Sequence, residues 1–332
     1  MMNSAKTLGA SLVSATRLHR LLHSQLHRNG LTILMYHGVV REQLPVTDWC
    51  FLEDSSFRRQ IEYLRRHFSI VSLSAAIELL QQGAVDKPTA VLTFDDGYQN
   101  NFDVAFPALQ QFGVPATIFL TTGFVDSSNT VWFCHVIRAI SETRKPSMRW
   151  DDAEFDLSDP RKKAMASARL QAALKERPPA EVGSLVQRIC QELDVDLLSS
   201  LELGSPFRIL NSSSIRTMLD SGLVEFGAHT ETHPILSLLS PEVQAREISG
   251  SVQAVERLTG QPCRYFAYPN GRPQDYDSRS VELLRNCGIL AAVTTTRGSN
   301  EARHSLLELQ RYGVGADLGM PMFQLLVHHF IR

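Results

Sequence analysis

Two adjacent aspartates, Asp95 and Asp96, close the segment that most constrains this chain: Ala90-Val91-Leu92-Thr93-Phe94-Asp95-Asp96-Gly97. The apolar run, bounded by the polar turn Tyr98-Gln99-Asn100-Asn101, reads as the end of a buried strand. Two carboxylates are costly to desolvate there unless local chemistry uses their charge, as a metal ion together with a base would. Adjacent side chains on a strand point to opposite faces, so both can serve one site only where the strand ends and turns. Gly97 permits that turn.

Around this segment apolar runs alternate with helical patterns. Leu31-Thr32-Ile33-Leu34-Met35-Tyr36 reads as a first strand, followed by a helix through Phe57, Ile61 and Leu64 that Ser55 or Ser56 could cap. A short strand at residues 69–73, a helix through Ala76, Leu79 and Leu80, the Asp-Asp strand, a helix through Val104, Ala108 and Leu109, and a strand at residues 116–120 follow. The pattern changes from about residue 126 to 211, where strands are hard to find and charged helical stretches at 161–175 and 182–193 flank Pro178-Pro179. This stretch reads as a mostly helical insertion, either an outer decoration or a lid over a substrate groove. Alternation resumes with strands at residues 224–228, 265–268 and 290–295 and helices after Ser240-Pro241 and at 278–287. The periodicity defines an α/β chain with a largely parallel sheet.

Composition narrows the function classes. Of 332 residues, 43% are hydrophobic and 20% charged, as in a soluble globular protein, and the net charge of −2 gives no field for nucleic acid. The five cysteines are scattered without a CxxC pair, against a disulfide framework or a thiolate zinc site and in favour of a reducing compartment. No stretch reaches the ~18 apolar residues of a membrane span. Leu8, Leu12, Ala15, Leu18, Leu22 and Leu26 fall at helical spacing before Asn29-Gly30, among Lys6, Arg17, Arg20 and Arg28 with no acid. Residues 1–30 therefore read as an amphipathic helix rather than a cleaved signal, packed on the domain at 31–332 or laid on a membrane surface through residues 5–28. The expected location is cytoplasmic, with peripheral contact at the inner membrane face.

Two further segments carry chemistry: Phe226-Gly227-Ala228-His229-Thr230-Glu231-Thr232-His233-Pro234 and Arg264-Tyr265-Phe266-Ala267-Tyr268-Pro269-Asn270-Gly271. The spacing of His229 and His233 suits one helix face, but Pro234 and the preceding strand favour a loop or single turn. Three N/O ligands with one open position are what a catalytic zinc ion takes, and Asp96, His229 and His233 fit that count.

In this order the three segments resemble the polysaccharide deacetylase family, the NodB-homology or carbohydrate esterase family 4 group, over residues 31–124 and 215–298. The resemblance implies a distorted (β/α) barrel of the glycoside hydrolase/deacetylase type with an incomplete strand ring. It implies Asp96, His229 and His233 as ligands of a divalent metal, Zn2+ first and Co2+, Ni2+, Fe2+ or Mn2+ as alternatives. It makes Asp95 the base, Arg264 its cationic partner, and the backbone N–H at or near Tyr268 part of an oxyanion hole. The late Leu-x-His segment of the best-described branch is missing from Leu307-Glu308-Leu309-Gln310-Arg311-Tyr312, and Ala291-Ala292-Val293-Thr294-Thr295-Thr296 replaces its Asp-x-x-Trp-like segment. His37, in Met35-Tyr36-His37-Gly38 at a strand end, is then the candidate general acid, ahead of His304, His328 and His329; His135 reads as a packing or substrate-contact residue. The implied activity is metal-dependent removal of an N-acetyl group from an amino sugar, in a surface polysaccharide or its glycolipid precursor. The competing readings are a deformylase or other amide hydrolase of the same superfamily, and an inactive carbohydrate-binding protein.

Overall fold

The structure is a computed structural model that describes residues 30–196 and 201–330. The expected N-terminal helix falls outside the described residues. Among those described, no helix is long and apolar enough to cross a membrane.

Strands β1 (Leu31–Tyr36) and β5 (Thr89–Phe94) are buried at every position and pair in parallel from Leu31 opposite Thr89 to Tyr36 opposite Phe94. Around them β6 (Ala116–Leu120), β9 (Val224–Ala228), β10 (Tyr265–Ala267), β11 (Ala291–Val293) and β12 (Tyr312–Gly313) form a parallel sheet of order β11-β10-β9-β6-β5-β1-β12. The short β4 (Ser69–Ile70) pairs with the start of β5, and β2 (Gly38–Val40) pairs with β3 (Phe51–Glu53) beside the barrel. Leu309 bridges to Val293 and Tyr312 pairs with Leu34, so the segment before β12 closes the ring between β11 and β1.

The period of two sorts the strand residues. Leu34, Tyr36, Ala90, Leu92 and Phe94 pack outward on Phe57, Ile61 and Leu64 of α1 (Asp54–His67). Ile33, Val91, Phe119, Tyr265, Val293 and Leu309 form a second cluster with Ala76, Ile77 and Leu80 of α2 (Leu73–Gln81). Thr93 and Asp95 continue this second set in register. The helix α1 begins before the point at which Ser55 or Ser56 would cap it, with Glu53 at the N-cap and no capping side chain. A π turn, Asn101–Ala105, precedes α3 (Phe106–Phe112), which Gly113 ends at φ 63°.

Between β6 and β9 the chain leaves the barrel. It forms α4 (Trp132–Glu142), α5 (Pro160–Lys175, capped by Asp159) and α6 (Pro179–Glu192), then returns through α7 (Ser212–Asp220). An antiparallel hairpin of β7 (Ser147–Trp150) and β8 (Ala153–Asp156) adds strands that the sequence pattern hid. Its alternation lasts only four residues, exposed-buried-exposed-buried, too few to stand out. Val136, Ile140, Trp150, Phe155, Leu170 and Ile189 give this insertion a core of its own. The last helices, α8 (Pro241–Thr259), α9 (Ser278–Asn286) and α10 (Met320–Val327), cover the sheet, with Ser240 and Asp277 accepting from the first-turn N–H groups of α8 and α9.

Gly227 in β9 marks a close approach: a Cβ there would lie 2.7 Å from both Phe119 Cδ1 and the Tyr265 carbonyl. Gly227→Ala is expected to destabilise the protein by about 1–3 kcal/mol, whereas Gly183→Ala, in the interior of α6 with nothing within 4 Å of the added carbon, should stabilise it by about 0.5–1 kcal/mol. Urea unfolding of the two variants checks both signs.

Candidate metal centre

Both carboxylates reach one site because the strand end turns back sharply. Asp96 has φ 68° and Gly97 φ 73°, and Gly97 N–H donates to the Asp95 carbonyl at 2.9 Å across a three-residue turn. A non-glycine residue held there costs about 1–3 kcal/mol, which persists only where the surroundings enforce it. Asp95 N–H donates to the Tyr36 carbonyl and Thr121 N–H to the Asp96 carbonyl, fixing the turn between its neighbours β1 and β6.

His229 follows β9 directly. Its backbone N–H donates to the Leu120 carbonyl, and its Nδ1 lies 2.7 Å from the Ala267 carbonyl, so Nδ1 carries the proton and Nε2 faces Asp96. His233 is brought round by a loop with Thr230 and His233 both at φ 64°. Its Nε2 is 3.5 Å from Asp96 Oδ1, and that of His229 is 3.7 Å from the same oxygen. Two ligands held about 2.0–2.1 Å from one tetrahedral ion stand roughly 3.4 Å apart, close to both spacings. Neither oxygen of Asp96 has a hydrogen-bond partner although the residue is fully buried. Burial, then the charge of Asp95, pushes Asp96 up to about 8, while burial pushes both imidazoles down. A buried carboxylate that resists ionisation beside two neutral imidazoles is a donor set that fits a divalent cation of the zinc type. Among the described residues this trio is the only such cluster.

The His229–His233 loop is held from two sides. Thr122 and Gly123 N–H donate to the Thr230 and Glu231 carbonyls. On the other side Glu247 of α8, 7% exposed, accepts from Glu231 N–H at 2.8 Å, Thr232 N–H at 2.9 Å and the Thr232 hydroxyl at 2.6 Å.

Asp95 sits beside the trio with a partner that sequence reasoning missed. Arg311, fully buried, donates from both terminal nitrogens to the two oxygens of Asp95, each at 2.7 Å. Two further N–H groups donate to the Thr294 carbonyl at 2.9 Å and the Thr93 hydroxyl at 3.1 Å. Burial opposes the charge on Asp95, but the Arg311 guanidinium outweighs it and holds the carboxyl well below the usual range. Arg264, expected in this role, is exposed at the start of β10, where its carbonyl accepts from Leu290 and Ala291 N–H. Asp95 follows the end of its strand, and in a parallel sheet these are opposite ends. The faint signal for Arg311 was the buried alternation of Leu307, Leu309 and Arg311 against Glu308 and Gln310.

Tyr268 is also placed differently from expectation. Its N–H donates to the Val293 carbonyl at 3.2 Å, continuing the β10–β11 ladder, and its hydroxyl donates to the Leu307 carbonyl. Its ring stacks on Tyr276 at 4.1 Å. The N–H is therefore engaged within the sheet and not offered to a ligand. His37 does lie at the site: its strand end adjoins that of Asp95, Asn101 donates to its carbonyl at 2.7 Å, and its ring meets Trp49 edge-on at 4.7 Å. Burial lowers its pKa to about 4, against the opposing pull of Asp95, so it is a neutral imidazole at rest. The other histidines weighed from the sequence are engaged elsewhere: His135 with Asn129, His304 with Glu301 N–H, His328 with Tyr63 and His329 with Thr32.

The insertion reaches the centre. Phe133 of α4 packs edge-on against the His233 ring at 5.7 Å. A cleft of about 250 Å³ runs outward from His233, walled by Trp132, Lys175 and Val182 of the insertion and by Ile235 and Asn270 of the barrel loops.

Residues 82–292, more than half of the chain, match the model of the polysaccharide deacetylase family, and the chain belongs to that family. Among curated proteins it is similar to the poly-β-1,6-N-acetyl-D-glucosamine N-deacetylase of Staphylococcus epidermidis, 31% identical over 115 residues, which is 31% of this chain and 39% of that protein. The protein of the same name from Escherichia coli is 31% identical over 101 residues, 30% of this chain and 15% of that one. The chain thus matches less than half the length of these relatives. Among solved structures, Streptococcus pyogenes deacetylase PplD in complex with acetate has a TM-score of 0.60 at 19% identity, covering 90% of this chain and 98% of that one. IcaB from Ammonifex degensii has a TM-score of 0.60 at 18% identity, covering 90% and 97%. At these identities the structures establish the fold, a curled parallel (β/α) barrel.

Two variants separate the supports of the site. Arg311→Met leaves a buried carboxylate unpaired and is expected to cost about 3–5 kcal/mol near neutral pH. Because the folded pKa of Asp95 is depressed, the pair's contribution is present above the unfolded carboxylate value of about 3.9 and is lost as pH falls through the folded one. The stability gap between wild type and variant should therefore narrow below about pH 4, as acid and urea titrations would register. Glu247→Ala should instead weaken zinc affinity about 10- to 100-fold by loosening the histidine loop, measured by chelator competition, with Glu247→Gln intermediate.

Proposed function

We propose that the protein is a metal-dependent hydrolase that removes the N-acetyl group from an amino sugar, in a surface polysaccharide or its lipid-linked precursor. One observation carries this reading: a base held ionised by Arg311 stands next to the buried Asp96–His229–His233 trio. A divalent ion on that trio supplies Lewis acidity toward a water and the acetyl carbonyl. The names of the relatives support an N-acetylglucosamine polymer as the substrate class. The lipid-linked option rests on the basic amphipathic pattern of residues 5–28, which suits contact with the inner membrane face.

Within this reading each side chain has one task. Asp95 takes the proton of the attacking water, and the Arg311 fork fixes the orientation and charge of its carboxylate. His37 begins neutral, so the proton delivered to the leaving amine is the one Asp95 has taken, passed through His37 or returned by Asp95 itself. Trp132 lines the cleft, an aromatic side chain against which a sugar ring can pack.

Zinc-loaded protein incubated with β-1,6-linked N-acetylglucosamine oligomers should release acetate and free amine in equal amounts. Asp95→Asn should abolish turnover with zinc content unchanged, whereas His229→Ala and His233→Ala should lose zinc and turnover together. Release of formate from an N-formyl sugar, with no acetate from any N-acetylhexosamine, would assign the site to a different amide. His37→Ala is expected to lower kcat about 10²- to 10⁴-fold; a kcat within a few-fold of wild type would give both proton transfers to Asp95.

A further inference from the structure

Three cations stand at or beside the centre, and two are already matched. Arg311 is closed on Asp95, and Arg177 is bonded to Asp151 at 2.6 Å. The third, Lys175, is the last residue of α5 and lines the His233 cleft half-buried. Among the described residues no hydrogen bond or ion pair engages its ammonium group. Its neighbour Leu174 is anchored in the insertion's own core, so the helix end that presents Lys175 is fixed.

A lysine delivered to a place that also collects a divalent cation is repelled in the resting protein. The arrangement becomes favourable when a negative oxygen lies between the two. Amide hydrolysis makes one: the water oxygen bonds to the acyl carbon, its proton passes to Asp95, and the carbonyl π pair moves onto oxygen. When that pair returns, the C–N bond breaks, its electrons leave on nitrogen, and nitrogen takes up the proton. The carboxylate product then carries the charge. The backbone donor expected for this oxygen, the Tyr268 N–H, is bonded to Val293.

We propose that Lys175, carried by the insertion, is the cationic donor to the oxygen that becomes negative during acyl transfer and to the carboxylate that leaves. Lys175 and His233, a member of the trio, line the same cleft, so an acyl group bound at the trio lies on the side of the cleft that Lys175 faces. This assignment rests on the hydrolase reading above.

Lys175→Met and Lys175→Arg, both zinc-loaded and full length, test it. Lys175→Met should lower kcat about 10²-fold, the usual effect of removing one oxyanion donor, with KM within threefold and zinc content and unfolding midpoint unchanged. Acetate binding to the zinc-loaded protein, followed by titration calorimetry, should weaken about 10-fold in Lys175→Met and recover in Lys175→Arg. An unchanged kcat, a loss confined to KM, or equal acetate affinity in all three proteins would overturn the role of Lys175. If wild type releases acetate from no N-acetylhexosamine, the hydrolase reading fails instead, and the acetate titration still decides whether Lys175 binds a carboxylate.

Discussion

The bidentate pair of Arg311 and Asp95 is the interaction on which the rest of the structure depends. Two charges removed from water are tolerable only when geometry is close and every donor is matched. Here both Asp95 oxygens, the Thr93 hydroxyl and the Thr294 carbonyl accept from the guanidinium, so each of its three nitrogens is engaged. The pair ties β5 to the segment that closes the ring before β12, and it fixes the charge of the residue best placed to act as base. Stability and reactivity thus rest on the same hydrogen bonds.

Next to this satisfied pair stands a deliberately unsatisfied one. Asp96 has the same side chain and the neighbouring position, yet neither of its oxygens is bonded. The difference is made by the backbone: the left-handed turn at Asp96 swings its carboxylate away from Arg311 and toward His229 and His233. Two adjacent aspartates are driven to opposite charge preferences: burial and the charge of Asp95 push Asp96 above the ordinary range, while at Asp95 the Arg311 guanidinium outweighs burial and holds it far below.

The sequence made the trio legible because its members sit in short segments whose chemistry is compact: two carboxylates at a strand end and two imidazoles after another. The alternation of strands and helices likewise reached a parallel barrel, since its central strands are apolar at every position. What escaped was long-range or brief. Arg311 lies 216 positions from Asp95, and the short alternation of Leu307, Leu309 and Arg311 marks burial only faintly and names no partner. The resemblance gives Arg264 the role of cationic partner as the residue that opens the third segment, but a three-residue strand separates it from the site. The resemblance implies a ligand-facing N–H at or near Tyr268, and residue types do not show that the β10–β11 ladder extends to it. The hairpin of the insertion was too short to show a period.

The closing segment also sets an order of events. Residues 307–313 are among the last of the barrel to be synthesised, and until they dock, the carboxyl of Asp95 has no cation beside it. Burial alone favours the protonated form of Asp95, and it is Arg311, brought by this segment, that reverses the preference. The charge on that carboxylate is therefore a product of completed topology: the cation that holds it arrives only when the ring shuts.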